Sequence, residues 1–552
     1  MPRHILVAVA WPYASGSLHL GHLAGAYLPA DIFARYHRLA GNRVLMVSGS
    51  DAHGTPITIK ADQEGVSPAE IVARYHPEIL GYWRDLGISF DLFTTTLTDN
   101  HREVTWDIFR KLRAAGYVVA GTSLQFFDPD RQRFLPDRYV EGTCPHCGYN
   151  RARGDQCENC GRTLDPDQLI NPRSSLSGAT PEKRETQHYF LRLGAFTEAL
   201  RTWLTGQTTW RRHVQNWALG MVAEGMPDRA ITRDLSWGIP IPTEADTLGK
   251  GKVIYVWFEA VIGYLSAAKE WAARSGDPQA WRLWWNNPEA ESYYFVGKDN
   301  IPFHAVVWPA MLMGYGEHNL PTDVPANQYV TFKGAKASKS MGVGRPIAWY
   351  AARLQPDALR YAIAAVLPEQ GDTDLSDDDI IRRVNDELVA TWGNLVNRVV
   401  SLCHRYFDGR VPAPGEADDR DNAMLAAVAK ALAATGQHIE AVELRAGLRA
   451  AFDGAAAVNG YLNEVAPWQT ARTDLARTGS ILAAALSAIA SLAVALAPYL
   501  PFSADQVWGL LGLPGSVAEN GWRPPALETG ARLGPAVPLY RKLEADVLDS
   551  TD

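Results

Sequence analysis

The first third of the chain alternates short apolar runs with stretches of helical periodicity. Residues 5–10 form a continuous apolar run of strand length, and Leu20, Leu23, Ala24, Tyr27 and Leu28 then recur at the spacing of one helix face, with Ser17 as its cap. Val44-Leu45-Met46-Val47-Ser48-Gly49 is a second such run, so residues 1 to about 115 predict buried parallel strands joined by helices. Pro29 lies inside the first helix and should kink it. The pattern lapses from Gly116 to about Asp228 and resumes near Ala230. There, residues 253–258 and 293–296 read as strands, Trp257, Ala260 and Tyr264 share one side of a helix, and Tyr329-Val330-Thr331-Phe332 runs into a loop. Beyond about Asp386 strand signals vanish. Leu388, Trp392, Leu395, Val396, Val399 and Val400 repeat at helical spacing, and alanine-rich segments continue so to about residue 513, predicting a helical bundle.

Ligands of open parallel sheets sit beyond the carboxyl ends of the strands, and suggestive chemistry gathers at those ends here. The first strand passes through Trp11-Pro12-Tyr13 to Leu18-His19-Leu20-Gly21-His22 at the helix start, where unpaired N–H groups and the dipole favour phosphate. His19 and His22 share one face of the first turn, and Gly21 leaves room for a flat base. Alone, this stretch equally begins an ordinary helix. The second strand delivers Asp51 and His53 into the same crevice as Tyr13. Gly297-Lys298-Asp299-Asn300 follows a later strand, where Asp299 is placed to bond a ribose hydroxyl. In Gly334-Ala335-Lys336-Ala337-Ser338-Lys339-Ser340, two lysines three apart with a serine between them suit a polyphosphate, although alone they also suit a solvated loop.

Composition changes this picture in two ways. A chain of 552 residues is too long for one core, and 47% hydrophobic with 21% charged residues is ordinary globular material. The formal net charge of -8 means that any nucleic-acid surface must be a local patch. Arg382, Arg383, Arg398, Arg405 and Arg410 form the densest basic stretch of the helical part, which a solvated face also explains. The N-terminus enters a core strand at once, leaving no room for a secretory signal. Residues 480–497 are uncharged and near the length of a membrane span, but alanine dominates them, Ser487 and Ser491 interrupt them and Pro498 closes them, so they read as a buried bundle helix. The acidic cluster at residues 372–379 reads as a solvated turn and helix cap.

Four of the five cysteines form two knuckles, Cys144-Pro-His-Cys147 and Cys157-Glu-Asn-Cys160, nine residues apart. Four thiolates so placed suit a structural Zn²⁺ with no open coordination position, the alternatives being two disulfides or a redox pair. His146 inside the first knuckle is expected to face water.

The two signatures in this order, His19-Leu20-Gly21-His22 and Lys336-Ala337-Ser338-Lys339-Ser340, resemble the HIGH and KMSKS motifs of the class I aminoacyl-tRNA synthetases. Over nearly its whole length the chain is similar to the methionyl family among them. The segments that carry this are Val9-Ala10-Trp11-Pro12-Tyr13, Gly49-Ser50-Asp51-Ala52-His53-Gly54-Thr55-Pro56, Leu135-Pro136-Asp137-Arg138-Tyr139-Val140, Tyr255-Val256-Trp257-Phe258-Glu259-Ala260, Gly297-Lys298-Asp299-Asn300 and Ala466-Pro467-Trp468. Three positions depart from the pattern: Ala337 replaces the usual methionine, Glu259 an aspartate, and Trp11 stands where some members have leucine.

The resemblance implies an α/β fold, with a Rossmann-like parallel-sheet catalytic domain split by a zinc-binding connective insertion and followed by an all-α anticodon-binding bundle. The expected divisions are residues 1–115 and 230–324 for the catalytic halves, 116–229 for the insertion, 325–385 for the lysine loop and stem-contact region, and 386–552 for the bundle. The insertion is too short for a large editing domain. The implied reaction is ATP-dependent activation of L-methionine to methionyl-adenylate, then transfer to the 3′ end of initiator and elongator tRNA(Met), with Mg²⁺ accompanying ATP. His19, His22, Lys336 and Lys339 would be catalytic, joined on ATP by Gly21, Gly297, Asp299 and Ser338. Asp51 would hold the α-ammonium, with Ala10, Trp11 and Tyr13 on one wall of the methionine pocket and Trp257, Ala260, Tyr264, Phe303 and His304 on the other. Asn394, Arg398 and Trp468 match the anticodon-reading positions, and Cys144, Cys147, Cys157 and Cys160 the zinc ligands. A cytoplasmic monomer without membrane association is expected, since no appended domain follows the bundle. The rivals are an adenylate-forming paralogue with a non-tRNA acceptor, against which the intact anticodon positions count, and a catalytically dead RNA-binding protein, against which the retained histidines and lysines count.

Overall fold

The computed structural model describes residues 2–154, 157, 159–160, 162, 164, 166–245, 248, 251–332, 335–336 and 345–549. Ser338 and Lys339 lie outside the described residues, and Lys336 is described by its backbone. The apolar runs become a five-stranded sheet of β1 (His4–Val9), β2 (Arg43–Ser50), β3 (Leu92–Thr95), β4 (Glu291–Gly297) and β5 (Ala326–Asn327), in the order β5-β4-β1-β2-β3 with every pairing parallel. β1 and β4 are neighbours although the rest of the first catalytic half and the whole insertion separate them in sequence. Their carboxyl ends therefore open on one crevice.

The first helix runs on through Leu20–His22, Leu23–Tyr27 and Leu28–Leu39. Its cap is His19, not Ser17. Pro29 acts through a π-helical turn at Leu23–Tyr27, which absorbs the missing N–H in the turn before it. Phe303–Val307 repeats the device ahead of Pro309, after β4. Residues 253–258 are not all strand: Lys252–Ile254 is extended, and the helix Val256–Arg274 already contains Trp257 and Phe258.

The insertion leaves on Val118–Asp128 and returns antiparallel on Glu182–Leu191. A small sheet of Val140–Thr143, Ala152–Arg153 and Ile170–Ser174 carries the knuckles between them. It docks through the buried Tyr139, whose hydroxyl contacts Thr58 Oγ1 at 2.8 Å and Asp62 Oδ2 at 3.1 Å on the helix Thr55–Glu64.

Beyond Asp377 all long elements are helices. The apolar stretch 480–497 lies within Leu475–Leu496, whose most apolar window is 89% buried among its bundle neighbours. The acidic cluster does more than face water: Asp372 accepts from Lys298 Nζ and the Tyr329 amide, Asp377 accepts from the Tyr350 hydroxyl, and Ser376 with Asp379 caps the helix Asp377–Arg382.

One buried ion pair ties the two halves of the molecule. Arg360, fully enclosed, lies 2.7 Å from Asp31 on the first helix and donates to the carbonyls of Tyr499 (2.8 Å), Pro498 (2.9 Å) and Leu86 (3.1 Å). Burial pushes the Asp31 carboxyl up, but the guanidinium groups of Arg35 and Arg360 and two donors of Ser89 bring it down to about 2. Because this value is depressed, its contribution to stability is present above the unfolded range near pH 4 and is lost as pH falls towards 2. Replacing Arg360→Ala takes one of two guanidinium partners from the buried carboxylate and leaves the carbonyls of Tyr499, Pro498 and Leu86 without their donor, and should cost about 3–5 kcal/mol in chemical unfolding at pH 7. A loss below about 1 kcal/mol, the range of an exposed pair, would contradict the role given to it.

Candidate active site

Past the sheet, β1 and β2 stay paired for one more step. The Asp51 amide donates to Pro12 O at 2.8 Å and the Ala14 amide to Asp51 O at 3.0 Å, so Tyr13 and Asp51 lie side by side as the sequence implied. The helix start follows. The Gly21 amide donates to His19 Nδ1 at 3.1 Å and the His19 amide approaches His22 Nδ1 at 3.3 Å, a reciprocal cap in which imidazoles replace the usual hydroxyl and carboxylate. Both rings accept at Nδ1, which makes Nε2 the donor atom of each neutral ring, and their centroids lie 3.9 Å apart.

The second signature is anchored against the first from both sides. Ala335–Lys336 pairs antiparallel with Val330–Phe332, with Lys336 opposite Thr331. After the loop the chain returns so that Pro346 bridges to His19 and the Ile347 amide donates to Leu18 O at 2.8 Å. The histidines and the described ends of the lysine loop thus share one crevice. Asp299 stands at the carboxyl end of β4, where it accepts from the Tyr329 hydroxyl, and Gly297 closes that strand.

The proposed amino-acid pocket is mostly aromatic. Trp257 stacks on Phe303 with centroids 4.3 Å apart, and Tyr13 meets Trp257 edge-on at 6.2 Å. Trp11 lies between β2 and the helix Val256–Arg274, where two glycines make its space: a Cβ at Gly263 would stand 2.7 Å from the indole, and one at Gly49 would collide with it. Ala10 O accepts from the Tyr27 hydroxyl, fixing the strand end. His304 Nδ1 bonds the Asn300 carbonyl (2.9 Å) and so carries the proton, which leaves Nε2 to accept from the Tyr264 hydroxyl at 2.6 Å. Burial pushes His304 down to about 4 and Tyr264 far up, so both stay neutral beside Ala260. Asp51 is 3% exposed; burial, and then the Glu259 charge, push its carboxyl well above the usual range, against one opposing bond from the His53 amide at 3.2 Å.

In the bundle, Arg398 on the helix Asn394–Tyr406 approaches Trp468, and Asn394 lines the same concavity as Arg398. The Arg398 guanidinium lies 6.0 Å from the indole and donates to Asn459 Oδ1 (2.7 Å) and Asn463 Oδ1 (3.1 Å). Ala466, at φ 40°, bends the chain just before Pro467–Thr470 and so presents Trp468. The concavity is also lined by Thr391, Asn397 and Gly460. Asn459 and Asn463 escaped the sequence reading, since single asparagines on an alanine-rich helix carry no spacing signal.

The four cysteine sulfurs lie within 4.8 Å of one another and none is in a disulfide. The Cys144–Cys160 and Cys147–Cys157 sulfur separations are 3.9 and 3.6 Å, close to the edge of about 3.8 Å that a tetrahedron with Zn–S bonds near 2.3 Å requires. The residues therefore fit a zinc ion. His146 is exposed beside Arg162, away from the sulfurs.

Comparison with known proteins agrees with this geometry. The family model described as "tRNA synthetases class I (M)" matches residues 5–400, and "Anticodon binding domain of methionyl tRNA ligase" matches residues 411–546. The methionine–tRNA ligase of Thermomicrobium roseum is 49% identical, with 100% of this chain and 98% of the relative aligned. That of Roseiflexus castenholzii is 48% identical over 99% and 98%. The methionyl-tRNA synthetase of Mycobacterium tuberculosis bound to methionyl-adenylate superposes with a TM-score of 0.81 at 27% identity, over 98% of this chain and 100% of that one. With a catalytic sheet, a cysteine-rich insertion and an anticodon-domain match in one continuous alignment, the chain belongs to the methionyl family of class I aminoacyl-tRNA synthetases.

Proposed function

We propose that this chain is a methionine–tRNA ligase that makes methionyl-adenylate from L-methionine and ATP, releasing pyrophosphate, and passes the methionyl group to the 3′ end of tRNA(Met), initiator and elongator alike. The observation that supports this reading is the return of the chain after the second signature onto His19, which brings the segment following that signature to the start of the first helix. We divide the molecule as the sequence suggested, with the cysteine-bearing insertion between catalytic halves.

Adenylate formation needs no protein nucleophile, because the methionine carboxylate attacks the α-phosphorus and pyrophosphate leaves with the electron pair. The protein has to supply in-line placement and positive charge along the leaving group. The Nε2 donors of His19 and His22 serve the phosphates, Gly21 admits the base, Gly297 and Asp299 hold the ribose side, and Lys336, Ser338 and Lys339 approach the departing pyrophosphate, with ATP taken as its Mg²⁺ complex. Asp51 takes the α-ammonium. The neutral Tyr264–His304 pair and the aromatic walls suit a thioether, which gains about 0.3–1.5 kcal/mol from an aromatic contact. Zinc in the cysteine quartet supplies structure to the insertion, and four unpaired thiols suit the reducing conditions of the cytoplasm. In the bundle, Trp468 offers a stacking face and Asn394 and Arg398 polar edges for an unstacked anticodon base.

Three measurements test these roles. Lys339→Ala should lower ATP–pyrophosphate exchange by roughly 10²–10³ while methionine binding stays near normal; unchanged exchange rejects the role of the loop. Trp468→Ala should leave adenylate formation intact and cut tRNA charging steeply, whereas equal loss of both argues against base stacking. Because the Asp51 carboxyl is raised in the free site and an ammonium favours its ionised form, methionine binding should release protons below that raised range. Calorimetry at a series of pH values from the ordinary carboxylate range upward, in buffers of different ionisation enthalpy, reads this directly, and no net proton release at any of them would remove Asp51 from the ammonium site.

A further inference from the structure

Glu259 has no part in the reading above, yet it is 0% exposed and stands where the family pattern has the shorter aspartate. From the helix Val256–Arg274 its carboxylate crosses to the turn after β2, where His53 Nδ1 lies 3.0 Å from Oε1 and 3.1 Å from Oε2. From the other side His101, on the helix Asp99–Ala114, brings Nε2 to 3.5 Å of Oε2. That ring is held in place: the Ser266 hydroxyl donates to Gly263 O (3.0 Å) and so accepts from His101 Nδ1 (2.8 Å), leaving Nε2 turned to the carboxylate, to which it donates only as the doubly protonated imidazolium. Burial alone would push Glu259 up, but His53 and His101 hold it below its ordinary range.

Three elements therefore converge on one carboxylate. The turn holding His53 also holds Asp51, whose Oδ1 accepts from the His53 amide. The helix holding Glu259 also holds Trp257, Ala260 and Tyr264 within two turns of it. We propose that Glu259 is a positioning residue that fixes the separation between the two walls of the amino-acid pocket, Asp51 on one and the Trp257–Tyr264 face on the other. It thereby contributes to the preference for methionine over its shorter homologue homocysteine. The hydrogen bond between His53 Nδ1 and the buried Glu259 carboxylate is directional, so it sets a distance that apolar packing alone leaves free to relax. A single methylene is worth little to an apolar pocket by contact alone, which gives a fixed wall separation its value. The inference rests on the assignment of Asp51 and of the helix residues made above.

The test measures methionine, homocysteine and ATP dependence of pyrophosphate exchange in the full-length enzyme carrying Glu259→Gln, Glu259→Asp or Asp51→Asn. Glu259→Gln should raise the KM for methionine by about 10-fold, leave the KM for ATP within about 2-fold, and lower the ratio of kcat/KM for methionine to that for homocysteine. Glu259→Asp, which keeps the charge and shortens the reach, should recover part of the methionine KM but not the full selectivity. An unchanged methionine KM in Glu259→Gln, or methionine and ATP KM values rising by the same factor, overturns the proposal. If Glu259→Gln does not fold, His53→Ala removes the bond between the walls while its main-chain amide still reaches Asp51; it should shift the same ratio in the same direction, and an unshifted ratio overturns the proposal. Asp51→Asn separates the two possible failures. If it raises the methionine KM while the Glu259 and His53 variants do not, only the positioning role is lost; if it too leaves that KM unchanged, the assignment of Asp51 falls and takes the proposal with it.

Discussion

The hydrogen bond from the Ile347 amide to Leu18 O, with the bridge from Pro346 to His19 beside it, is the constraint on which the active site depends. These groups are more than 300 residues apart, and a main-chain pairing fixes both position and direction in a way that side-chain contacts do not. It holds the far end of the lysine loop at the first helix start, while Ala335–Lys336 is held to Val330–Phe332 at the near end. The chain on either side of the lysine loop comes to the first helix start because the sheet places β4 next to β1, so segments that follow either strand emerge at the same edge.

Buried polar groups extend that constraint through the molecule. Arg360 links the first helix to the bundle. Arg211 does similar work at β5, donating to Ala326 O, Asn327 Oδ1 and Val442 O, while Asn327 in turn donates to Ala24 O in the π-helical turn. Desolvating a guanidinium is costly, and such groups rarely add net stability over an apolar packing of equal volume. Their multiple partners on distant elements favour one relative placement of those elements. That matters for an enzyme in which methionine and the anticodon of its tRNA are proposed to be read at opposite ends of the chain, one at the sheet and the other in the bundle.

Much of this was legible in the sequence because it rests on local chemistry. Apolar runs marked the strands, paired CxxC knuckles marked the cysteine cluster, and two short signatures marked the crevice. What was not legible involves partners distant in sequence. His53 stands out beside Asp51 and Glu259 as a departure from the family pattern, but nothing in the sequence pairs them with each other or with His101, and only folding brings the three together. Arg360 reads as one more helical arginine until its carbonyl partners from the bundle are known. Local rules also misplaced details: the cap fell on His19 because an imidazole nitrogen can accept as a serine oxygen does, and Pro29 was met by a change of helical register. The acidic stretch at 372–379 looked solvent-facing by composition, yet Asp372 and Asp377 each hold a partner across elements.

A single crevice is proposed to join ATP to methionine. Exchange of labelled pyrophosphate into ATP, run with each of the twenty amino acids in turn on the purified protein, tests it most directly. Methionine alone among the twenty should support rapid exchange. Rapid exchange with a different amino acid, or none with methionine, would contradict the account.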